Sequence, residues 1–388
     1  MFARFLRLGC LAWGGPFAQL EMIRNEAVER AGWLSKEQFN RALAVYQVLP
    51  GPEAHEMCVY VGAVHRGRSG AIAAGLGFML PGLVLMLILS WLYWSGTLGH
   101  VRNIGAMLAG AQVAAVALIL RAAWKIGQHG IEDAKQWPIA AVCALGTLAG
   151  VHWAWPLIYG AVVNPSLRAR RFVMGGAVSA VVLVGAMLTI ERPQWPKLGE
   201  AQVVEIVRQD AEHHADVATI ATSGARAGLL TFGGAYTVVP YLKEDAVEGN
   251  AAWISEPAFL NGVAIAAAIP APLVIVGTFV GFAGAGWIGA LVMTAGIFLP
   301  SFLFTLIGFE RIETLTRAER ARGILIGVTA AVVGVIGATA VEMALSTWWG
   351  WRGALVGFAA LVVLSAVGRR WSVPLVVVGA LVAGAFLW

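Results

Sequence analysis

The chain has 388 residues, 59% of them hydrophobic and only 13% charged, with a mean hydropathy of +0.75. Soluble domains carry roughly a quarter charged residues, so composition excludes a soluble globular protein and predicts an all-α polytopic membrane protein. The net charge of +5 is scattered through loops, as positive cytoplasmic loops require, and no nucleic-acid partner is expected.

Phe2 to Leu20 is apolar but interrupted at Gly14-Gly15-Pro16, and Arg4 and Arg7 deny it a signal-peptide layout. A mixed-charge loop, 21–36, ends in WLSKEQF, where Ser35 and Gln38 have the spacing of a capping box. The segment 39–64 that follows is long enough for one span. Pro50, Gly51 and Pro52 break it in the middle, because each proline removes a backbone donor and clashes with the preceding turn. Broken backbone at membrane depth is tolerated only where it faces protein or lines a wet cavity. Just beyond the break stand Glu53, His55 and Glu56, ionisable groups of the kind that mark ion or substrate routes inside membranes.

Spans are expected at 71–94 and 104–123, then two short apolar pieces at 139–151 and 155–163, and a further span at 172–190. Residues 191–216 form the only long hydrophilic stretch. These features predict a first membrane repeat over 1–165, a linking transmembrane helix and polar linker over 166–216, and a second repeat over 217–388. Within the second repeat, Lys243, Glu244 and Asp245 read as a solvated loop and Glu342 as an interfacial residue. Cys10, Cys58 and Cys143 lie far apart with no metal spacing, and neither a disulfide framework nor a bound metal is expected.

The two halves repeat. LGCLAWGGP (8–16) is echoed by AGLLTFGGA (227–235), WLSKEQF (33–39) by WISEPAF (253–259), LPGPE (49–53) by IPAPL (269–273), and GFMLP (77–81) by GIFLP (296–300). The offset stays at 219 or 220 throughout. Loop charge reverses between the halves: loop 65–69 holds two Lys or Arg and its partner 283–287 none, whereas loop 95–103 holds one and its partner 310–322 four. Such a reversal predicts two inverted-topology repeats. Loops on the two sides of each broken segment carry similar charge, so the broken helices are expected to be re-entrant; a plain kinked span is the other reading.

These pieces, WGGPFAQLEMIRNEAVERAGWLSKEQF, VLPGPEAHEMCVYVGAVHRGRSGAIAAGLGFMLPG, TFGGAYTVVPYL and PAPLVIVGTFVGF, together resemble the chromate ion transporter family in its long, two-domain form. The resemblance spans essentially the whole chain. It implies a secondary transporter that exports chromate across the cytoplasmic (inner) membrane and gives chromate resistance; coupling to the proton gradient is a separate expectation that rests on Glu53, His55 and Glu56. Sulfate or another oxyanion is the alternative substrate, and a membrane-embedded lipid-modifying enzyme the alternative class. One departure stands out: the second motif, usually PGP, is here Pro270-Ala271-Pro272.

A tetrahedral dianion leaving water needs replacement donors and positive potential, and helix N-termini supply both. The expected substrate-binding residues are therefore Gly14, Gly15, Pro16, Pro50, Gly51, Pro52, Gly233, Gly234, Pro270, Ala271 and Pro272. Glu53, His55 and Glu56 are expected to serve coupling or gating, with His55 the most tunable near neutral pH. Arg4, Arg7 and Arg226 fit snorkelling anchors, and Gln19, Glu21 and Arg24 the cytoplasmic entrance. No P-loop, dinucleotide fingerprint or nucleophile motif appears, so neither a cofactor nor catalysis is expected. The bilayer is a required partner, and a homodimer stays open.

Overall fold

A computed structural model describes residues 1–168 and 215–388, together with 182 and 185, apart from 48, 132, 153, 233, 250, 318 and 367–371. The expected span at 172–190 and the linker after it lie outside the described residues. What is described is helical, and its only bridge pairs Pro50 with Phe232. Four helical stretches are long and apolar enough to cross a membrane: Glu53–Trp94, Ile104–Gln128, Leu273–Ile307 and Ala321–Thr347.

The first half opens with helix α1 (Phe2–Cys10), turns at the glycine pair, and returns as α2 (Pro16–Arg24). The return is visible in the contact between Arg4, near the start of α1, and Glu26, just past α2, at 3.5 Å. A second hairpin follows. Helix α3 (Lys36–Tyr46) starts at Ser35, whose side chain accepts from the Gln38 amide in the expected capping box. The chain reverses at 50–52 and leaves as the first arm of α4 (Glu53–Trp94). Trp33, before α3, stacks on His65, at the end of that arm, with ring centroids 4.6 Å apart. The segment thus finishes where it began: it is re-entrant rather than a kinked span. Eleven residues of α3 reach about 16 Å at 1.5 Å per residue, roughly half of a 30 Å hydrocarbon core.

Helix α4 is interrupted again at Arg66 and Gly67, where φ at Gly67 is +61°. The chain turns there and continues as the true span. Helix α5 (Ile104–Gly130) crosses back and runs seven residues beyond the expected end at 123. The short helices α6 (Trp137–Leu148) and α7 (Ala154–Arg168) close the half.

The second half reproduces this plan: α8 (Val217–Leu230), α9 (Val238–Lys243), α10 (Glu256–Ala268), the long α11 (Val276–Arg317), α12 (Glu319–Thr347), α13 (Trp351–Ala366) and α14 (Ser372–Leu387). Its hairpins close in the same way. Ser223 donates to Asp245 at 2.7 Å across the first, and the Trp253 indole donates to the Val280 carbonyl at 3.0 Å across the second. Gly286, 219 residues after Gly67, makes the second turn at φ +57°. Pro81 and Pro300 occupy matching places inside α4 and α11.

Glycine packing explains why these hairpins lie flat against the spans. A Cβ on Gly9 would sit 2.3 Å from the Phe78 carbonyl oxygen, and one on Gly228 would sit 2.6 Å from that of Ile297. Gly62 faces Gly70, and Gly281 faces Gly289, at similar distances. Small residues let helix backbones approach this closely where lipid removes the hydrophobic drive between helices. The last pair of each half packs on the other half: α6 and α7 lie on α12, while α13 and α14 lie on α5.

One expectation is corrected here. Lys243-Glu244-Asp245 is no solvated loop: Lys243 ends α9 at 3% exposure, and Glu244 opens a π-helical turn. Pro52 and Pro272 stand as N-caps, whereas Pro16 is the first residue of its helix. Gly62→Ala and Gly281→Ala should each destabilise the protein by about 1–3 kcal/mol, because a methyl meets backbone that cannot yield. Gly337→Ala and Gly379→Ala, helical and with nothing within 4 Å, should be neutral or stabilising by up to ~1 kcal/mol. Melting temperatures of the detergent-solubilised variants check both.

Candidate functional site

The four hairpin tips meet. The Gly51 amide donates to the Thr231 carbonyl at 2.6 Å, beside the Pro50–Phe232 bridge, and this fastens the first PGP turn to the second GG turn. A Cβ on Gly15 would lie 3.3 Å from the Tyr236 hydroxyl, and one on Gly234 would lie 3.8 Å from the Pro16 ring. Gly51 faces the Ser301 hydroxyl, and Ala271 faces Gly82, 219 positions before Ser301. The Gly51–Ser301 and Ala271–Gly82 contacts are reciprocal: each joins the sequence counterparts of the other's two residues. Across the halves, the Tyr46 hydroxyl bonds Thr305 at 2.9 Å, and Gln112 donates to Asn261 at 2.7 Å.

The two PxP tips are not equivalent. Gly51 sits at φ +148°, in a region open to glycine, whereas Ala271 has no positive φ. A Cβ at Gly51 would also lie 2.5 Å from the Glu56 carboxylate. The extra methyl of Ala271 is accommodated by the absence of a side chain on Gly82.

Beside the first tips lies a cavity of ≈ 970 Å³. Gly14, Gly15 and Pro16 line it, together with Glu53 and, from the other half, Tyr236. Pro16 opens α2 with Gly15 as N-cap and no side-chain cap. The Ala18 amide, in the first turn, has no intrahelical acceptor, and Phe17 and Ala18 both line the cavity. Five basic side chains converge on it: Arg4, Arg7, Arg30, Arg121 and Lys125, against Glu21, Glu26 and Glu53. Glu26 pairs with Arg4 at 3.5 Å and Arg30 at 3.8 Å, and Glu21 pairs with Arg24 at 3.8 Å. Among the described residues Arg7 and Arg121 have no carboxylate partner. Lys125 lies over the Phe17 ring at 5.6 Å. The cavity lining is therefore net cationic.

Of the expected site residues, Pro50, Gly51, Pro52, Gly234, Pro270, Ala271 and Pro272 do not line this cavity. Pro50 and Gly51 form a seam with Thr231 and Phe232, where the Gly51 amide is already engaged. Gly233 lies outside the described residues. Glu53 alone of the three ionisable residues reaches the cavity; His55 and Glu56 are fully buried. His55 is held edge-on against Phe298 and Phe302 at 4.9 and 5.0 Å. Both Glu56 carboxylate oxygens lack a hydrogen-bond partner, beside the buried Ser301 hydroxyl near Gly51. Gln19 is not an entrance residue, since it is buried and donates to the Ala12 carbonyl at 2.9 Å.

Sequence reasoning passed over Arg121, Lys125 and Tyr236. The signal was available for the first two: cations four apart share one helix face, here inside α5, which runs on past the apolar stretch.

A family model described as "Chromate transporter" matches residues 1–164 and 218–385, both halves of this architecture. The chain belongs to the chromate transporter family. It is 45% identical over 356 residues to a "Chromate transport protein" of Pseudomonas aeruginosa, covering 89% of this chain and 81% of that protein. A "Probable chromate transport protein" of Synechococcus elongatus is 28% identical over 99% of the chain and 94% of its own length. A "Chromate transport protein" of Cupriavidus metallidurans is 28% identical over 98% and 90%. No solved structure matches the chain. As a member of this family it is a multi-pass membrane transporter rather than an enzyme. The cationic cavity predicts that a tetrahedral dianion, with sulfate as the inert probe, raises the melting temperature of the purified protein. That shift should vanish in an Arg121→Gln/Lys125→Gln variant of normal basal stability.

Proposed function

We propose that this protein is a secondary transporter that exports chromate from the cytoplasm across the plasma membrane by alternating access. The observation that carries the reading is the convergence of Arg7, Arg121 and Lys125 on the open turn at Gly14-Gly15-Pro16. Guanidinium groups and first-turn amides are the donors that a doubly charged tetrahedral oxyanion needs when it sheds water. The names of the relatives supply the choice of chromate.

Three observations support an inverted arrangement of the halves: reciprocal contacts at the tips, the packing of each final helix pair on the opposite half, and the reversal of loop charge. The basic loops 21–36 and 65–69 then lie in the cytoplasm, and the cavity, rimmed by Asn25, Glu26 and Arg30, opens there. The repeats occupy residues 1–165 and 217–388, with 166–216 joining them.

Coupling falls to Glu53, because it is the one carboxylate of the broken segment that shares the cavity with the substrate. An ionised carboxylate there opposes a dianion and a protonated one does not, so the two charges alternate at one place. His55, ringed by phenylalanines, and Glu56, sealed behind Gly51, are positioned to hold the tip rather than to meet substrate.

Uptake of chromate into inside-out vesicles, with sulfate as competitor, tests the reading. Arg121→Gln should raise the half-saturating chromate concentration by roughly 10-fold or more, the range expected for one charge-assisted hydrogen bond. Gly51→Leu should abolish uptake while the protein still inserts into the membrane. Glu53→Gln should keep anion binding but lose dependence of uptake on the proton gradient. Chromate uptake equal to that of empty vesicles would overturn the assignment, and preferred uptake of sulfate would change the substrate.

A further inference from the structure

The surface around the open turn has a counterpart in the second half, and it is buried. Adding 219 to the residues around the open turn gives Gly234 for Gly15, Ala235 for Pro16, Arg226 for Arg7 and Lys243 for Arg24. In the first half this surface is partly exposed; in the second, every residue from Gly234 to Lys243 is buried. The cations differ in the same way. Arg7 faces the cavity without a carboxylate partner among the described residues, whereas Arg226 holds Asp245 at 2.6 Å and donates to the Tyr241 carbonyl at 3.3 Å.

Lys243 is more tightly held. Its side chain, 4% exposed, contacts Glu248, Glu342 at 3.3 Å and Glu256 at 3.9 Å. Glu248 lies in the turn just after α9 and Glu256 opens α10, but Glu342 comes from the crossing helix α12. The position equivalent to Glu342 on α5 is Ala123, between Arg121 and Lys125. The crossing helix thus offers cations to the open mouth and a carboxylate to the closed one. Burial works against charge on Lys243, yet Glu342, Glu248 and Glu256 together hold its pKa above the ordinary lysine value. The ammonium therefore stays charged and paired.

We infer that the Lys243–Glu342 contact is the latch of the outer gate, tying the second-half hairpin to α12 while the first-half mouth is open. The inference rests on the alternating-access reading. Opening the outer mouth must pull α9 from α12 and hydrate both charges, so the pair sets which side faces water. A buried pair of this kind is poorly tolerant of losing one member, since the survivor is left uncompensated.

Cysteine accessibility tests the latch without needing chromate. In a background lacking Cys10, Cys58 and Cys143, an impermeant maleimide is applied to oriented vesicles carrying Ala235→Cys or Ala18→Cys. The parent should label Ala18→Cys from the cytoplasmic side and leave Ala235→Cys protected. Lys243→Gln should raise the labelling rate of Ala235→Cys at least 10-fold, from the external side only, and Glu342→Gln should raise it in the same direction. The charge swap Lys243→Glu/Glu342→Lys should return protection, and retained labelling of Ala18→Cys or its conformation-dependent slowing reports that the variants are folded. Unchanged protection in Lys243→Gln, labelling from the cytoplasmic side, or a charge swap that fails to restore protection would each overturn the latch. A parent that fails to move chromate would sink the substrate assignment and leave this readout standing.

Discussion

The structure depends on satisfying backbone at hairpin tips that stand where water is scarce. A reversal inside a membrane leaves amides and carbonyls without helical partners, and each such group costs several kcal/mol if nothing receives it. Here the two halves answer each other. The Gly51 amide meets the Thr231 carbonyl at 2.6 Å, and Pro50 pairs with Phe232 in the one bridge among the described residues. The tips therefore exist as a set, with the turn of one half completing the hydrogen bonding of the other.

The contact that stabilises the seam also sets its asymmetry. Gly51 adopts a backbone conformation that alanine disfavours, and the Glu56 carboxylate occupies the space where a Cβ would stand. Ala271 has no such demand and packs against Gly82. The first tip thus carries Glu53, His55 and Glu56 beyond its glycine turn, and the second carries Leu273, Ile275 and Val276 in their place. A site built on this frame is one-sided in chemistry even though the helices of the two halves follow one order.

Much of this was legible in the residues. Proline pairs inside apolar runs, a constant offset, and similar charge at both ends of each broken segment carried the breaks and the repeat, because each is a local backbone or solvation effect. The capping box at Ser35 was legible for the same reason. What escaped depended on contacts between distant segments. Arg121 looked like the end of a span until the α2 turn was placed against it. Lys243 looked solvated because its carboxylates lie 5, 13 and 99 residues away. The Gly51 amide looked open to a ligand because Thr231 is 180 residues downstream.

The crossing of the final helices has its own consequence for biogenesis. Helices α6 and α7 find their bed on α12, and α5 finds its cover in α13 and α14. A nascent chain released after its first 168 residues would leave α5 without that cover and the closing pair without a surface to lie on. Neither half therefore completes its helix packing until the other has been synthesised.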